Sequence, residues 1–265
     1  MPDRRNVIYC YDGTFDGLMC CVFDSYVRRE IPSDILSEVP EQLSFCDMHF
    51  VETVPEHSAR VSAAIPKKIS PRAFDAVKKA FLSCEDGKDM LILMFIRKGF
   101  QFGGKVEDML ADDTVNKLNK TVLFCTREAH LLQGFLRFSD YGGYLAAVIE
   151  PKNKAIPLIA DHFTDRMRNE NFLIYDKAHR MALIYFRHKA EIAENIDFEL
   201  PDASAEEELY RELWKGFYKT IGIEERYNPR CRMNMMPKRY WANMTEMREE
   251  LGISEESRNR LSETN

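Results

Sequence analysis

The chain opens with a short apolar run and then an amphipathic segment, a pattern that predicts a strand, a tight turn and a helix. Val7-Ile8-Tyr9-Cys10 forms the run, and Thr14 stands at the N-cap position of the helix. Large apolar residues then recur at the spacing of one helix face, at Phe15, Leu18, Met19, Val22, Phe23 and Tyr26. Asp12 thus lies beside the free amides of the helix N-terminus. Asp12 then has two interpretations. It is a corner of a functional site, or it satisfies amides of the helix N-terminus while Gly13 merely permits the turn.

Further helices and two strand-like stretches follow up to residue 130. Two stretches are strand-like, Phe45–Val54 and Val61–Ile65, although Ser62-Ala63-Ala64 fits a helical turn equally well. The periodicity then predicts three helices: one opened by Pro71 with the apolar face Phe74, Val77, Ala80 and Phe81, one from Asp89 to Phe102 ended by Gly103-Gly104, and one from Val106 into the 120s.

The second half of the chain predicts the most legible unit. Leu136-Arg137-Phe138 and Tyr144–Ile149 flank Asp140-Tyr141-Gly142-Gly143, a good hairpin signal. A helix from Pro157 to Arg168 comes next, and then a second strand pair, residues 171–176 and 180–186. Strand, strand, helix, strand, strand indicates an α+β fold with a mostly antiparallel sheet, packed helices and a helical C-terminal piece.

Charge is unevenly distributed and suggests domain limits. Residues 191–210 hold eight acidic and no basic residues, whereas 211–241 hold eight lysines and arginines against three glutamates. We therefore predict a main body at 1–196, an acidic linker at 197–208, a basic and aromatic helical segment at 209–253 packed on the body, and a frayed tail at 254–265.

Composition narrows the class of protein. The chain has ample apolar side chains for a core, at 45% hydrophobic and 11% aromatic of 265 residues. Its longest apolar run, Met90–Ile96, is far shorter than the ~20 residues of a membrane span, and no signal region is visible, so we expect a cytoplasmic protein with no membrane partner. Seven cysteines without CxxC spacing, and histidines without HExxH, predict no metal, iron-sulfur cluster or other cofactor.

Three groups of residues invite a chemical interpretation. His162, Asp165 and Arg166 share one surface of a predicted helix, where they could grip a phosphate or supply a general base, or form a local ion pair. The second group, Tyr175, Asp176 and Arg180, flanks a predicted turn that it could simply stabilise. The third is His130 beside Glu128, with Asp12 as a companion in a metal site that no spacing supports.

The segment from Arg211 to Trp241 is the richest candidate for nucleic-acid contact. Its basic side chains could neutralise phosphates, and exposed aromatic rings could stack on unpaired bases. Trp214, Phe217, Tyr218 and Ile221 also fit a helix core stripe, which leaves Tyr227, Tyr240 and Trp241 freer. The alternative is a helical cap with a basic outer face. The predicted contacts are Arg166, Arg180, Arg226, Arg230, Arg232, Lys238, Arg239, Tyr240 and Trp241.

Blocks spread over most of the chain carry a resemblance to a known family. They are Tyr11-Asp12-Gly13-Thr14 and the helix after it, Arg137-Phe138, Asp161-His162-Phe163 with Arg166, Ile174-Tyr175-Asp176 with Arg180, and Trp214 through Trp241. The chain resembles an uncharacterised bacterial family described as probable DNA-metabolism proteins. The resemblance implies a radical SAM partner similar to spore photoproduct lyase, and in some relatives the domain is fused to a uracil-DNA-glycosylase-like domain.

Three functions follow as hypotheses. The first is a DNA-metabolism or DNA-repair protein that binds nucleic acid or a damaged nucleotide and acts with a radical SAM partner. The second is a stand-alone nuclease or glycosylase-like enzyme that uses Asp12, His162 and Asp176. The third is a protein-interaction scaffold without nucleic-acid contact. The first hypothesis further predicts that Asp12, His162 and Arg166 line one pocket.

Overall fold

The computed structural model describes residues 3–4, 6–37 and 47–252. The chain forms two compact units, unit 1 at Met1–Thr126 and unit 2 at Arg127–Asn265. The division falls inside the range 1–196 that the sequence predicts as one body. Whether 1–196 folds as one domain in solution, and whether 197–208 acts as a linker, stay predictions. The predicted tail at 254–265 lies outside the described residues.

Unit 1 combines a small parallel sheet with helices. In chain order its elements are β1 (Asp3–Arg4), β2 (Val7–Cys10), α1 (Phe15–Val27), β3 (Glu30–Ile31), β4 (Asp34–Leu36), β5 (Asp47–Phe50), α2 (Pro55–Lys68), α3 (Pro71–Phe81), α4 (Lys88–Phe102) and a 3₁₀ helix (Gly103–Asp108). α5 (Asp113–Phe135) contributes residues to both units. β4, β2 and β5 pair in that order and all run parallel, while β1 pairs with β3.

The predicted opening of the chain is confirmed. The Thr14 hydroxyl accepts a hydrogen bond from the Gly17 amide and so caps α1, and Gly13 has φ of +76°, a value that glycine adopts without strain. The buried side of α1, with Leu18, Met19 and Val22, lies in the core of unit 1. The strand, the turn and the helix thus follow from local signals alone.

Other predictions in unit 1 have mixed outcomes. α3 and α4 are confirmed, with Ser70 capping α3 and Gly103 ending α4. The strand at Val61–Ile65 is wrong because these residues lie within α2, where Val61 and Ile65 are buried one helical turn apart. The helix predicted from Val106 begins only at Asp113, after the 3₁₀ helix. Of the strand at 45–54, residues 47–50 are extended, and residues 45–46 lie outside the described residues.

Unit 2 is built on a five-stranded sheet. Its elements are β6 (Ser139–Asp140), β7 (Leu145–Ile149), α6 (Ile156–Arg166), β8 (Phe172–Asp176), β9 (Met181–Phe186), β10 (Lys189–Glu194), α7 (Ala205–Thr220), a 3₁₀ helix (Glu224–Arg226), α8 (Pro229–Met235), and 3₁₀ helices at Lys238–Asn243 and Glu249–Leu251. The strand order is β10-β9-β8-β7-β6, and the β7–β8 pair is parallel while the other pairs are antiparallel. The predicted α+β class with a mostly antiparallel sheet is confirmed.

The predicted order of strands and helix in unit 2 holds, with one addition. Both predicted strand pairs and the helix between them are present, although the first strand starts at Ser139 rather than Leu136. The addition is β10, which the sequence patterns do not predict because its alternating charged and small residues resemble a solvent-exposed acidic stretch. The core packs Phe163, Phe172 and Leu183 against Tyr240 and Trp241 from the C-terminal segment.

Candidate nucleic-acid interface and polar sites

The turn after β2 holds Asp12 in a set of hydrogen bonds. Its Oδ1 accepts from the backbone N–H and the hydroxyl of Thr14 at 2.9 and 2.7 Å, and its Oδ2 accepts from the Thr53 hydroxyl at 2.8 Å. Burial tends to raise the pKa of Asp12, but these hydrogen bonds outweigh it and leave the pKa lowered. Asp12 is therefore an ionised carboxylate whose oxygens already have partners. This geometry favours the capping interpretation over general acid or base chemistry.

Tyr11, next to Asp12, belongs to the core of unit 1. Its ring is buried, and its hydroxyl donates a hydrogen bond to Asp89 at 3.0 Å. Burial raises the pKa of Tyr11, with the Asp89 carboxylate adding to the effect. The phenol therefore stays protonated and anchors the end of β2 to the start of α4.

Gly17 makes this close packing possible. A Cβ at this position would collide with the Asp12 carboxylate and lie 2.8 Å from a Tyr11 ring carbon and 2.9 Å from the Thr53 hydroxyl. We expect Gly17→Ala to lower the free energy of unfolding by about 1 to 3 kcal/mol, although alanine is the better helix former. Urea unfolding followed by circular dichroism measures this change. The control is Gly134→Ala, where a Cβ meets open space and stability should not fall. Equal stability of both variants would show that the turn rearranges freely.

Asp176 is fully buried at the end of β8 and is bound to a histidine that the sequence analysis did not single out. Its Oδ1 accepts from the backbone N–H of His179 at 3.1 Å, and its Oδ2 lies 2.7 Å from His179 Nδ1. The neighbouring Tyr175 is also buried, and its hydroxyl donates to the Ile196 carbonyl at 3.1 Å. Arg180 is exposed, has φ of +53° and pairs with Asp197 at 2.5 Å. These contacts favour the interpretation in which this group stabilises the turn. The three-residue spacing of Asp176 and His179 is the sequence signal that could have identified His179.

His162, Arg166 and His130 keep access to solvent. His162 is half-buried on α6 with its ring edge-on to Phe163 at 5.0 Å, while Arg166 and His130 are exposed. The local ion pair here joins Asp165 on α6 to Arg168, two residues beyond the end of the helix, at 3.8 Å. Asp12 belongs to unit 1 and the histidines to unit 2. The pocket that would combine Asp12, His162 and Arg166 therefore stays a prediction.

Glu128 forms the most extensive buried polar cluster of unit 2. Its Oε2 accepts from the backbone N–H and the side-chain amide of Asn153 at 2.8 and 2.6 Å, and its Oε1 accepts from the Lys152 backbone N–H at 3.1 Å. Arg239 lies 2.9 Å from Oε1, and the Tyr240 hydroxyl donates to the same oxygen at 3.3 Å. A buried carboxylate needs such partners. The sequence signal was a charged residue in the apolar stripe of Cys125, Ala129 and Leu132.

This cluster changes the interpretation of Arg239 and Tyr240. Burial, together with the Glu128 carboxylate, raises the pKa of Tyr240 to about 12, and only 4% of the residue is exposed. A small, shallow pocket lined by Leu132, Glu150, Arg239 and Tyr240 opens nearby. Since the Arg239 charge is already matched by Glu128, Arg239 offers this pocket little attraction for a phosphate.

Trp241 is also a core residue. It is 2% exposed, and its indole N–H donates to the Met236 carbonyl at 2.9 Å. The guanidinium of Arg232 lies 5.0 Å from the ring centroid, and the ammonium of Lys238 lies 5.7 Å from it. The hypothesis that Tyr240 or Trp241 stacks on a base is therefore corrected, because burial leaves neither ring a face for a base.

Other basic and aromatic side chains of the same segment nevertheless have access to solvent. The C-terminal basic face is the set Arg226, Tyr227, Arg230, Arg232 and Lys238. Tyr227 is 62% exposed, and the Arg232 guanidinium lies 5.3 Å from its ring centroid. Arg232 is oriented by Glu250, whose carboxylate accepts two hydrogen bonds from it at 2.8 and 2.5 Å. The exposed aromatic ring of this surface is therefore Tyr227, beside a cation held in place.

Two buried glutamates hold α7 against the rest of unit 2. Glu207 accepts from the Asp140 backbone N–H at 3.0 Å and from Arg211 at 2.9 Å. Glu246 accepts from Arg137 at 2.6 Å and from the Trp214 indole at 3.0 Å. Burial tends to raise the pKa of Glu246, but the bonds from Arg137 and Trp214 leave it lowered. Trp214 is thus held in place by the hydrogen bond from its indole nitrogen to Glu246.

A model of a family described as a domain of unknown function, DUF4130, matches residues 86–246, more than half of the chain. The chain belongs to this family. No curated protein and no solved structure matches the sequence. The DUF4130 region contains the Glu128 cluster, the Asp176 turn and the C-terminal basic face, while Asp12 and its turn precede it.

Two further findings concern membrane-spanning helices and metal sites in the described part of the chain. None of the helices in the described part of the chain combines the length and the apolar composition needed to cross a membrane. In residues 3–4, 6–37 and 47–252, no three His, Cys, Asp or Glu side chains come together as metal ligands could.

Proposed function

We propose that this chain is a bacterial cytoplasmic DNA-metabolism protein that binds nucleic acid through the C-terminal basic face and acts with a radical SAM partner. The observation that carries the proposal is the exposed Tyr227 ring beside Arg232, among the exposed cations Arg226, Arg230 and Lys238. Cations of this kind bind phosphates, and an exposed ring stacks on unpaired bases, a combination that suits single strands. The radical SAM partner rests on the family resemblance.

Because the net charge of the chain is negative, nucleic-acid binding depends on a locally basic surface. The whole chain carries −6 and repels a polyanion at long range, so binding depends on the local excess of positive charge in 211–241. Arg239 and Arg232 do not count among the phosphate contacts that we propose, because their charges are matched by Glu128 and Glu250, and Arg232 instead lies beside the Tyr227 ring. Arg166 and Arg180 stay secondary candidates, since Arg166 is exposed and Arg180 has an acidic partner in Asp197.

The alternative of a stand-alone nuclease or glycosylase-like enzyme gains less support. It needs Asp176 as a reactive carboxylate, yet both oxygens of Asp176 face His179 and the residue is fully buried. It also needs Asp12, whose oxygens are held by Thr14 and Thr53. These two carboxylates are better suited to holding turns than to attacking a substrate.

Salt dependence tests the basic face. We expect Arg226→Ala, Arg230→Ala and Lys238→Ala each to reduce the slope of log affinity against log salt by about 0.7 to 0.9, because each removes one phosphate contact. Tyr227→Ala should keep the slope and weaken single-stranded DNA by about 1 to 3 kcal/mol. Fluorescence anisotropy with single- and double-stranded oligonucleotides at several salt concentrations measures both effects.

Matched controls come from exposed residues of the same unit. Lys189→Ala on β10 and Phe186→Ala on β9 remove an exposed cation and a 51% exposed ring that are not members of the C-terminal basic face, and neither should change slope or affinity. If the folded wild-type protein binds neither oligonucleotide at low salt, with or without the radical SAM partner, the nucleic-acid proposal fails. The scaffold hypothesis would then lead.

A further inference from the structure

α7 presents a row of large apolar side chains to solvent. Five of them, between 53% and 60% exposed, form the α7 apolar face: Leu209, Tyr210, Leu213, Phe217 and Ile221. They recur at three- and four-residue spacing and so share one side of the helix. The other side carries Glu207, Arg211, Trp214 and Tyr218, which contact the rest of unit 2. The stripe that the sequence suggested as core is thus divided, because Trp214 and Tyr218 contact the rest of unit 2 while Phe217 and Ile221 are more than half exposed.

The exposed apolar area is large for a monomer. The five side chains of the α7 apolar face are each more than half exposed. At roughly 100 Å² each they expose on the order of 500 Å², at the upper end of the roughly 300–600 Å² of the largest patch on a typical monomer, which is often functional. Each partner in an interface of standard size buries about 800 Å². The α7 apolar face alone therefore supplies more than half of the area that one side of such an interface buries.

The charges along α7 favour a second copy of the same helix. Its first half carries Glu206, Glu207, Glu208 and Glu212 against Arg211, a net charge of −3. Its second half carries Lys215 and Lys219, which both contact Glu249, so the net charge there is +1. An antiparallel copy related by a two-fold axis would place the acidic start of each helix beside the basic end of the other. A parallel copy would place like charges together. The helix dipoles also favour the antiparallel arrangement.

Gly216 provides an independent observation. A glycine in the interior of a helix lowers its stability relative to alanine, and a Cβ here would meet no atom within 4 Å among the described residues. Packing within the chain therefore gives no reason for a glycine. Gly216 follows Leu209 by seven residues and so lies on the same side of α7. A glycine at this place allows the backbone of a second helix to approach closely.

The C-terminal residues outside the structure are a poor match for this surface. Residues 253–265 include only two large apolar side chains, Ile253 and Leu261, against five on the α7 apolar face. We propose that α7 is the interface of a two-fold symmetric dimer, in which two α7 helices pack antiparallel through the α7 apolar face. The proposal is independent of nucleic-acid binding, because the C-terminal basic face does not include α7.

The mass in solution is the first test. Light scattering and sedimentation of the full chain, over a roughly hundredfold range of concentration, should give twice the monomer mass of 31.0 kDa, with dissociation on dilution. Leu213→Glu and Phe217→Glu should each raise the dimer dissociation constant about 30-fold or more. Phe186→Glu is the matched control, since Phe186 is 51% exposed and Phe217 is 53% exposed, and it should leave the dimer intact.

A charge exchange tests the antiparallel arrangement itself. The variant Glu206→Lys with Glu208→Lys, and the separate variant Lys219→Glu, should each weaken self-association, because both copies then repel at both ends of the interface. An equimolar mixture of the two should form a heterodimer, since every contact between helix ends becomes attractive again. Circular dichroism of each variant confirms that it is folded before masses are compared.

Several outcomes would overturn the proposal. A wild-type protein that stays monomeric over the whole concentration range has no such interface, and α7 would then serve another partner. A dimer that survives both Leu213→Glu and Phe217→Glu uses a different surface. A dimer that these changes disrupt, but whose charge variants do not recover on mixing, lacks the antiparallel pairing.

Discussion

Replacing Trp241 with alanine is expected to lower the free energy of unfolding of unit 2 by about 3 to 5 kcal/mol. The ring is 2% exposed and packs with Tyr240, Met244 and Met247. Its removal leaves a cavity, and the Met236 carbonyl loses the indole N–H that donates to it at 2.9 Å. Arg232 and Lys238 also lose their contact with the ring. Urea unfolding followed by tryptophan fluorescence and circular dichroism measures the loss.

Two variants separate a structural role from a binding role. Trp241→Phe keeps most of the volume and should cost far less, and its affinity for DNA should equal that of the wild type. Tyr227→Ala removes a ring that is 62% exposed and should change stability by less than about 0.5 kcal/mol. A Trp241→Ala variant as stable as the wild type would show that the ring does not belong to the core in solution.

Replacing Glu128 with alanine is expected to cost about 3 to 5 kcal/mol, because it removes a buried carboxylate that pairs with Arg239 and accepts hydrogen bonds from buried donors. Asn153, Arg239 and Tyr240 would lose their shared acceptor. Glu128→Gln keeps the shape of the side chain but removes its charge, so we expect a smaller loss of about 1 to 3 kcal/mol. Equilibrium unfolding in urea gives these differences.

The matched control for Glu128 is the more exposed pair of Glu250 with Arg232. Glu250→Ala should cost under about 1 kcal/mol, since ion pairs in contact with solvent contribute little. A double-mutant cycle with Arg239→Ala measures the coupling of Arg239 to Glu128 directly. If Arg239→Ala instead left stability unchanged and weakened DNA binding, Arg239 would be the phosphate contact that the sequence suggested.

These two clusters explain why residue type was a poor guide to the site. Tyr227, Tyr240 and Trp241 all appear among cations in the same segment, yet two are buried and one is 62% exposed. Tyr240 reaches its partner Glu128 across 112 residues of sequence. A basic segment thus supplies both ion pairs for its own core and cations for a surface, and sequence composition does not distinguish them.

Local patterns were enough for much of the secondary structure. Thr14, Ser70 and Gly103 mark helix ends by hydrogen bonds and backbone angles that lie within a few residues, so the boundaries of α1, α3 and α4 are readable from short stretches. The hairpin before β7 and the α+β order of unit 2 follow from turn residues and periodicity in the same way.

Long-range pairing accounts for what the patterns left open. β4 has three residues, too few to show a period, and is extended because β2 supplies its hydrogen bonds. β10 is exposed along most of its length, so its alternation reflects pairing with β9 rather than a buried face. The burial of Glu128, Asp176 and Trp241, and the exposure of the α7 apolar face, likewise depend on which distant segments meet. Such contacts arise from packing free energies summed over the folded chain, and a short stretch of sequence does not contain them.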